Sequence, residues 1–133
     1  MADYTTKKID EMEAIMQGGF KRARAELGVE SFGMQVIDMP PGFENYPEHD
    51  HSDRGQEEVY IVLRGSADVD VEGERVAIDP DTMLRVGAET KRKIYPGPKG
   101  VRLLALGGTP GAAYEAAELT RLGAPDPTAS VSG

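Results

Sequence analysis

The sequence contains no cysteine, which excludes disulfides, thiolate zinc fingers, iron–sulfur clusters and thiol nucleophiles. Long apolar runs are also missing. A stretch such as residues 103–106 is far too short to cross a bilayer, so no membrane partner is expected. Residues 1–4 do not combine a basic start with an apolar run. We therefore expect no secretory signal, and a cytoplasmic protein.

Basic residues are fewer than acidic residues. The chain has 15 Lys and Arg against 23 Asp and Glu, a net charge of -8. Because a phosphate backbone would be repelled on average, nucleic acid is not an expected partner. Hydrophobic residues make up 39% of the 133 residues, a composition typical of a single globular domain.

The first 28 residues carry apolar side chains at helical spacing and predict two short helices that pack on the rest of the chain. Gly28 stands at a good position to end the second helix. The apolar positions are Ile9, Met12 and Met16 in the first helix and Phe20, Ala23 and Leu27 in the second.

Residues 29–108 have the pattern of an antiparallel β-sandwich or barrel, since short apolar segments alternate with turn signals and no helical period separates them. The predicted strands are 32–39, 58–63, 67–71, 75–78, 83–86, 92–95 and 101–106. Residues 109–133 are rich in Ala, Pro, Gly and Ser and predict an irregular, partly disordered tail, in which 112–119 could form a helical turn or two.

The only two histidines of the chain, His49 and His51, stand two residues apart. On an extended segment such side chains point to the same side and can converge on one ion, whereas the alternative is two surface imidazoles on a polar loop. Glu58 opens the next strand on the same face as Tyr60 and Val62. A carboxylate on an inward face is costly unless it is paired or bound to a cation, which favours a metal site.

The series Gly42, His49-Asp50-His51, Glu58 and Gly65 resembles the first conserved motif of the cupin superfamily. The resemblance implies an all-β fold, an antiparallel jelly-roll barrel over residues 29–108. It also implies a divalent metal (Zn, Fe, Mn, Ni or Cu) on His49, His51 and Glu58, a small-molecule ligand and a homodimer. Any enzymatic activity would be metal-dependent, of the dioxygenase, isomerase or decarboxylase type.

The sequence departs from the family pattern at two places. Six residues separate His51 from Glu58, where cupins usually have three or four, so 53–55 are read as a loop insertion. The second motif supplies a histidine as fourth ligand, and Arg92 stands at that position. Gln56 and Glu57 are candidate substitute ligands, while Tyr60 could line the ligand pocket.

Arg92 cannot ligate a cation, and at about 5 Å it would repel a divalent ion by roughly 6–7 kcal/mol at an effective dielectric near 20. Three arrangements remain open. Arg92 swings away from a three-ligand metal, it grips an anion that bridges it to the metal, or it pairs with Glu58 in a metal-free site.

Three functions follow from these arrangements. The first is a metal-dependent protein acting on a small, anionic molecule. The second is a metal-free binding barrel that holds an anion through Arg92. The third is a structural module that dimerises through the apolar outer face of Val59, Ile61 and Leu63.

Overall fold

The computed structural model describes residues 2–128, and this part of the chain forms one seven-stranded antiparallel sheet with very little helix. The one α-helix in this part is α1, Ala23–Leu27, and two short 3-10 helices lie at Ile9–Glu11 and Glu118–Thr120. None of these helices has the length and apolar character needed to span a membrane. The strands are β1 Ala14–Ile15, β2 Phe20–Lys21, β3 Gly33–Met39, β4 Glu57–Val71, β5 Glu74–Ile78, β6 Leu84–Val86 and β7 Arg92–Gly108.

The sheet is built around β4 and β7, which pair along almost their whole lengths, from Glu58 opposite Gly107 to Val71 opposite Arg92. Its order is β1-β2-β3-β7-β4-β5, and β6 pairs with the first part of β4. The predicted strands 58–63 and 67–71 are therefore one strand, as are 92–95 and 101–106. The turn signals at Gly65 and at 96–100 mark bends rather than ends, because register shifts near Gly65 let β4 continue past the bend.

The sheet wraps around a single core to which both halves of β4 and β7 contribute. Its strand path has two ends, at β1 and β5, so the sheet does not close into the predicted barrel, and an open sandwich fits this arrangement. The alternating strand residues predicted to face inward are buried, as period-two geometry requires. The buried core consists of Ile37, Met39, Tyr60, Val62, Ala67, Val69, Ile78, Val86, Ile94, Val101, Leu103 and Ala105.

The N-terminal segment is only partly as predicted. The second helix forms as α1 and ends at Gly28, which adopts the left-handed conformation. The first predicted helix is wrong: a 3-10 turn and the β1–β2 hairpin replace it. The backbone of Met16 and Gln17 has positive φ at the hairpin turn, and β2 pairs with β3. Pairing with the sheet thus overrides a weak helical pattern.

Residues 129–133 of the predicted tail lie outside the described residues. Up to residue 128 the tail is held against the N-terminal segment by the buried Arg22. Its Nε donates to the carbonyl of Leu119 at 2.8 Å and its Nη2 to the carbonyl of Ala124 at 2.8 Å. The helical turns expected over 112–119 are reduced to the 3-10 turn Glu118–Thr120. This part of the tail is irregular, but hydrogen bonds from Arg22 hold it in place.

Candidate metal and anion site

The connection between β3 and β4 carries both histidines, and its backbone is anchored at each of them. His49 and Arg92 form an isolated antiparallel bridge, with N–H···O distances of 3.0 and 2.9 Å. The N–H of His51 donates to the carbonyl of Ala88 at 2.8 Å. These bonds make the segment extended at the two histidines. Both imidazoles therefore lie on the side where β4 presents Glu58.

His49, His51 and Glu58 form a group of potential metal ligands. One ligand atom of each residue lies within 4.8 Å of those of the other two, and all three side chains are half-buried. The two imidazole rings meet nearly edge to face, with centroids 4.9 Å apart. The group lies at the end of the core, since Tyr60, two residues after Glu58, is fully buried. The predicted convergence of the three side chains is therefore present in the structure.

The surroundings of His49 favour the neutral imidazole, the form that binds a metal ion. Its Nδ1 lies 3.0 Å from the carbonyl oxygen of Pro47, which can only accept a hydrogen bond, so Nδ1 carries the proton and Nε2 keeps its lone pair. Burial lowers the pKa of His49 below its ordinary value. A neutral imidazole with its other nitrogen held by a carbonyl is the usual form of a metal-binding histidine.

Glu58 is held in its ionised form by two hydrogen-bond donors and a nearby guanidinium. Its Oε1 accepts hydrogen bonds from the Tyr60 hydroxyl and from Nε2 of His51, the latter at 3.3 Å. Burial alone would raise the pKa of Glu58, but these bonds and the nearby charge of Arg92 outweigh it, and the pKa is lowered. Burial also raises the pKa of Tyr60 and of Tyr46, so both phenols remain donors.

Arg92 does not swing away from the group. Its side chain has 0% exposure, and Nη2 lies 3.9 Å from Oε1 of Glu58, which is within ion-pair distance but too long for a hydrogen bond. Nη1 donates to the carbonyl of Thr90 at 3.1 Å. Nε and Nη2 are buried and have no hydrogen-bond partner among residues 2–128. Such unpaired donors are rare inside proteins because each costs about 1–3 kcal/mol.

The two candidate substitute ligands do not join the group in the described part of the chain. Glu57 faces the other side of β4, where its Oε1 accepts a hydrogen bond from Nε of Arg85 at 2.9 Å. Gln56 lines a small surface pocket together with Arg54 and Glu115.

Tyr46 is a neighbour of the site that the sequence pattern does not reveal. Its ring centroid lies 5.5 Å from that of His49. No regular spacing connects Tyr46 to Glu58. The contact depends on the path of the loop through space, which no local pattern in the sequence predicts.

A cavity of about 1290 Å³ reaches the site at His49. Its walls are largely apolar, and Arg64, Lys99 and Arg102 place positive charge on its lining, with Asp38 as the acidic member. Asp38 is already paired with Arg102 and with Lys21. Arg102 is itself paired with Asp38 and Asp10, so Arg64 and Lys99 are the lining charges that favour an anion in this cavity.

The antiparallel sheet with very little helix matches the fold of cupin proteins, and solved structures agree with this assignment of the fold. A cupin protein from Bacteroides fragilis is 18% identical with a TM-score of 0.66, over 88% of this chain and 93% of that chain. The cupin domain of Cnp3 from Schizosaccharomyces pombe is 25% identical with a TM-score of 0.53, over 59% of this chain and 56% of that chain.

A third similar structure is a predicted oxalate decarboxylase from Thermotoga maritima. It is 19% identical with a TM-score of 0.50, over 69% of each chain. No protein-family model matches the sequence, and no curated protein matches it significantly. The chain has the fold of the cupin superfamily, as its first motif predicts.

Proposed function

We propose that this protein binds a divalent first-row metal through His49, His51 and Glu58, together with a small anionic molecule in the barrel. The observation that carries the proposal is the convergence of three ligand atoms within 4.8 Å beside a fully buried arginine with unpaired donors. Two imidazoles and a carboxylate are a donor set that suits Zn, Fe, Mn, Ni and Cu.

The residues around the group have separate tasks in this proposal. A metal in the site would supply a Lewis acid with open coordination positions. Arg92 would hold the carboxylate of the ligand, and the protonated Tyr60 keeps Glu58 oriented. If the protein is an enzyme, its activity depends on the metal and is a dioxygenation, isomerisation or decarboxylation of a small acid.

Metal analysis of protein purified without an affinity tag tests this proposal. We expect about one metal per chain, either as purified or after Fe, Mn, Ni, Zn or Cu is added, and loss of that metal when His51 is replaced by Ala. The His51→Ala variant is a suitable comparison because the His51 side chain is partly exposed and its loss leaves the core unchanged. Protein that stays metal-free with every added ion would refute the proposal.

A second candidate function is metal-free binding of an organic acid. The 3.9 Å approach of Arg92 to Glu58 supports it, because the arginine then takes the place of the metal as counter-ion. A thermal-shift screen separates the two functions. Stabilisation by organic acids in the presence of a chelator, lost in Arg92→Ala, would favour this candidate. Stabilisation by metals alone would count against it.

We also propose that the protein is a cytoplasmic homodimer. The apolar outer face of β4 supports the dimer: Val59 and Ile61 are half-buried, and Leu63 is 41% exposed. In a purely structural variant of this proposal, the barrel serves only as the dimerisation module.

A further inference from the structure

A metal ion bound by His49, His51 and Glu58 would compete with the guanidinium of Arg92 for the carboxylate of Glu58. Nη2 of Arg92 lies 3.9 Å from Oε1 of Glu58, and Oε1 is also the atom that His51 approaches at 3.3 Å. A divalent ion held by Glu58 would therefore lie close to a full positive charge. Since arginine stays protonated, the repulsion can be removed only by movement of the side chain or by a negative charge placed beside it.

Movement of the side chain is opposed by the structure. Arg92 is fully buried, and its Nη1 donates to the carbonyl of Thr90. Swinging the guanidinium away would require this hydrogen bond to break. A negative charge is the remaining solution, and two of the three nitrogens of Arg92, Nε and Nη2, have no hydrogen-bond partner within the described residues.

Solvent reaches the site at the metal ligands and not at Arg92. Glu58 and His51 keep 17% and 26% of their side chains exposed, whereas Arg92 keeps none. An arginine edge with two free N–H groups matches one carboxylate, which it binds in a bidentate manner. A small carboxylate at this edge would lie between the guanidinium and the ion.

We infer that tight metal binding by this protein requires a carboxylate anion bound to Nε and Nη2 of Arg92, so that anion and metal bind cooperatively. The inference rests on the proposed function and adds a condition to it. Thermodynamic linkage requires the effect to be mutual: the anion strengthens metal binding by the same factor by which the metal strengthens anion binding. Couplings of this kind amount to about 5–150-fold, and we expect at least tenfold.

Titration calorimetry with zinc triflate measures the coupling directly. The probe anion is formate, a single carboxylate that chelates zinc weakly in solution, and sodium triflate keeps the ionic strength constant. For the wild-type protein, formate should lower the Kd for zinc at least tenfold. Zinc should lower the Kd for formate by the same factor.

Three variants assign the effect to Arg92. Arg92→Met should bind zinc without formate about as tightly as the wild type does with formate, and should show no formate effect. Arg92→Lys keeps the charge and should bind zinc weakly without formate, which separates charge from packing if Arg92→Met does not fold. Lys93→Met removes the charge of the next residue, whose side chain packs on Tyr95, and should behave as the wild type.

The outcomes distinguish this inference from the proposed function. Tight zinc binding that formate leaves unchanged, or a formate effect that persists in Arg92→Met, would overturn the coupling while the metal site stands. A wild-type protein that binds neither zinc nor Fe, Mn, Ni or Cu, with or without formate, would overturn the proposed function itself. A formate effect of equal size in Lys93→Met and the wild type, absent in Arg92→Met, establishes the coupling.

Discussion

Glu57 and Glu58 are adjacent in the chain and chemically identical, yet they occupy different environments. Glu58 lies beside His51 and Tyr60, whereas Glu57 pairs with Arg85 on the other side of β4. The alternation of side chains along a strand accounts for the difference. This alternation explains why Glu57, a candidate substitute ligand on the sequence, lies on the side of β4 away from the site.

Replacement of each glutamate by glutamine tests this assignment. Glu58→Gln should weaken zinc binding by more than about 100-fold, because even residues that only orient a metal ligand contribute about 10–100-fold. Glu57→Gln, which removes the same charge from the neighbouring residue, should leave zinc affinity unchanged. Calorimetry under identical conditions compares the two, and equal losses would contradict the assignment of Glu58 as a ligand.

At the scale of elements, the sharp bend of β4 brings both halves of the strand to one core. Gly65 lies at this bend with φ of +78°, and a Cβ built there would lie 2.2 Å from the carbonyl oxygen of Gly100 on β7. Only glycine fits such a close approach of two backbones. The cupin motif has a glycine at this position, and the structure supplies the steric reason for it.

Substitution of glycine by alanine at two positions separates the stability cost of a steric clash from the cost of a left-handed backbone conformation. Gly73 in the β4–β5 turn also has positive φ, of +92°, but has open space around it. Gly73→Ala should cost about 1–2 kcal/mol, the cost of a left-handed alanine. Gly65→Ala should cost at least about 3 kcal/mol, because the backbone of β7 must also move. Urea denaturation measures both, and equal losses would show that the bend is not limited by packing.

A second prediction at this scale concerns the carboxylate that joins β2, β3 and β7. Asp38 accepts hydrogen bonds from Arg102 and Lys21, each at 2.7 Å. Burial raises the pKa of Asp38, but these bonds outweigh it and the pKa is lowered. A carboxylate with a lowered folded-state pKa stabilises the protein fully above its unfolded value, near 3.9, and the effect is lost as the pH falls through the folded value.

Asp38→Asn should therefore be less stable than the wild type by about 2–3 kcal/mol at neutral pH, the range for hydrogen bonds to charged groups. The difference should stay constant down to about pH 5 and shrink below about pH 4. Asp68→Asn, which removes an exposed carboxylate of β4, is the control and should have little effect. A difference that widens on acidification would show that Asp38 is not held in its ionised form.

At the scale of the whole molecule, the outer face of β4 is the surface on which the dimer proposal rests. The N-terminal segment covers another part of the sheet, where Met12 and Ala23 pack on Val36. It leaves Leu63 41% exposed, and Ile61 half-buried. A dimer across this face would complete the burial.

Analytical ultracentrifugation tests the dimer proposal. We expect the mass of two chains for the wild type and of one chain for Leu63→Asp, because a charge buried in an apolar interface is strongly unfavourable. Met83→Asp replaces another exposed apolar side chain, 67% exposed, and should remain dimeric. A wild-type protein with the mass of one chain at micromolar concentration would contradict the proposal.

The sequence by itself determined the fold class and the three side chains of the candidate metal group. Turn signals, alternating apolar residues and the spacing of His49, His51 and Glu58 are local features, and local geometry is sufficient to interpret them. The tertiary structure decided the rest: the hairpin in place of the first helix, the tied-down tail, the approach of Tyr46 to His49 and the burial of Arg92 beside Glu58. Each depends on contacts between distant segments, such as the bridge from His49 to Arg92. The free energy of such contacts cannot be inferred from a local sequence pattern.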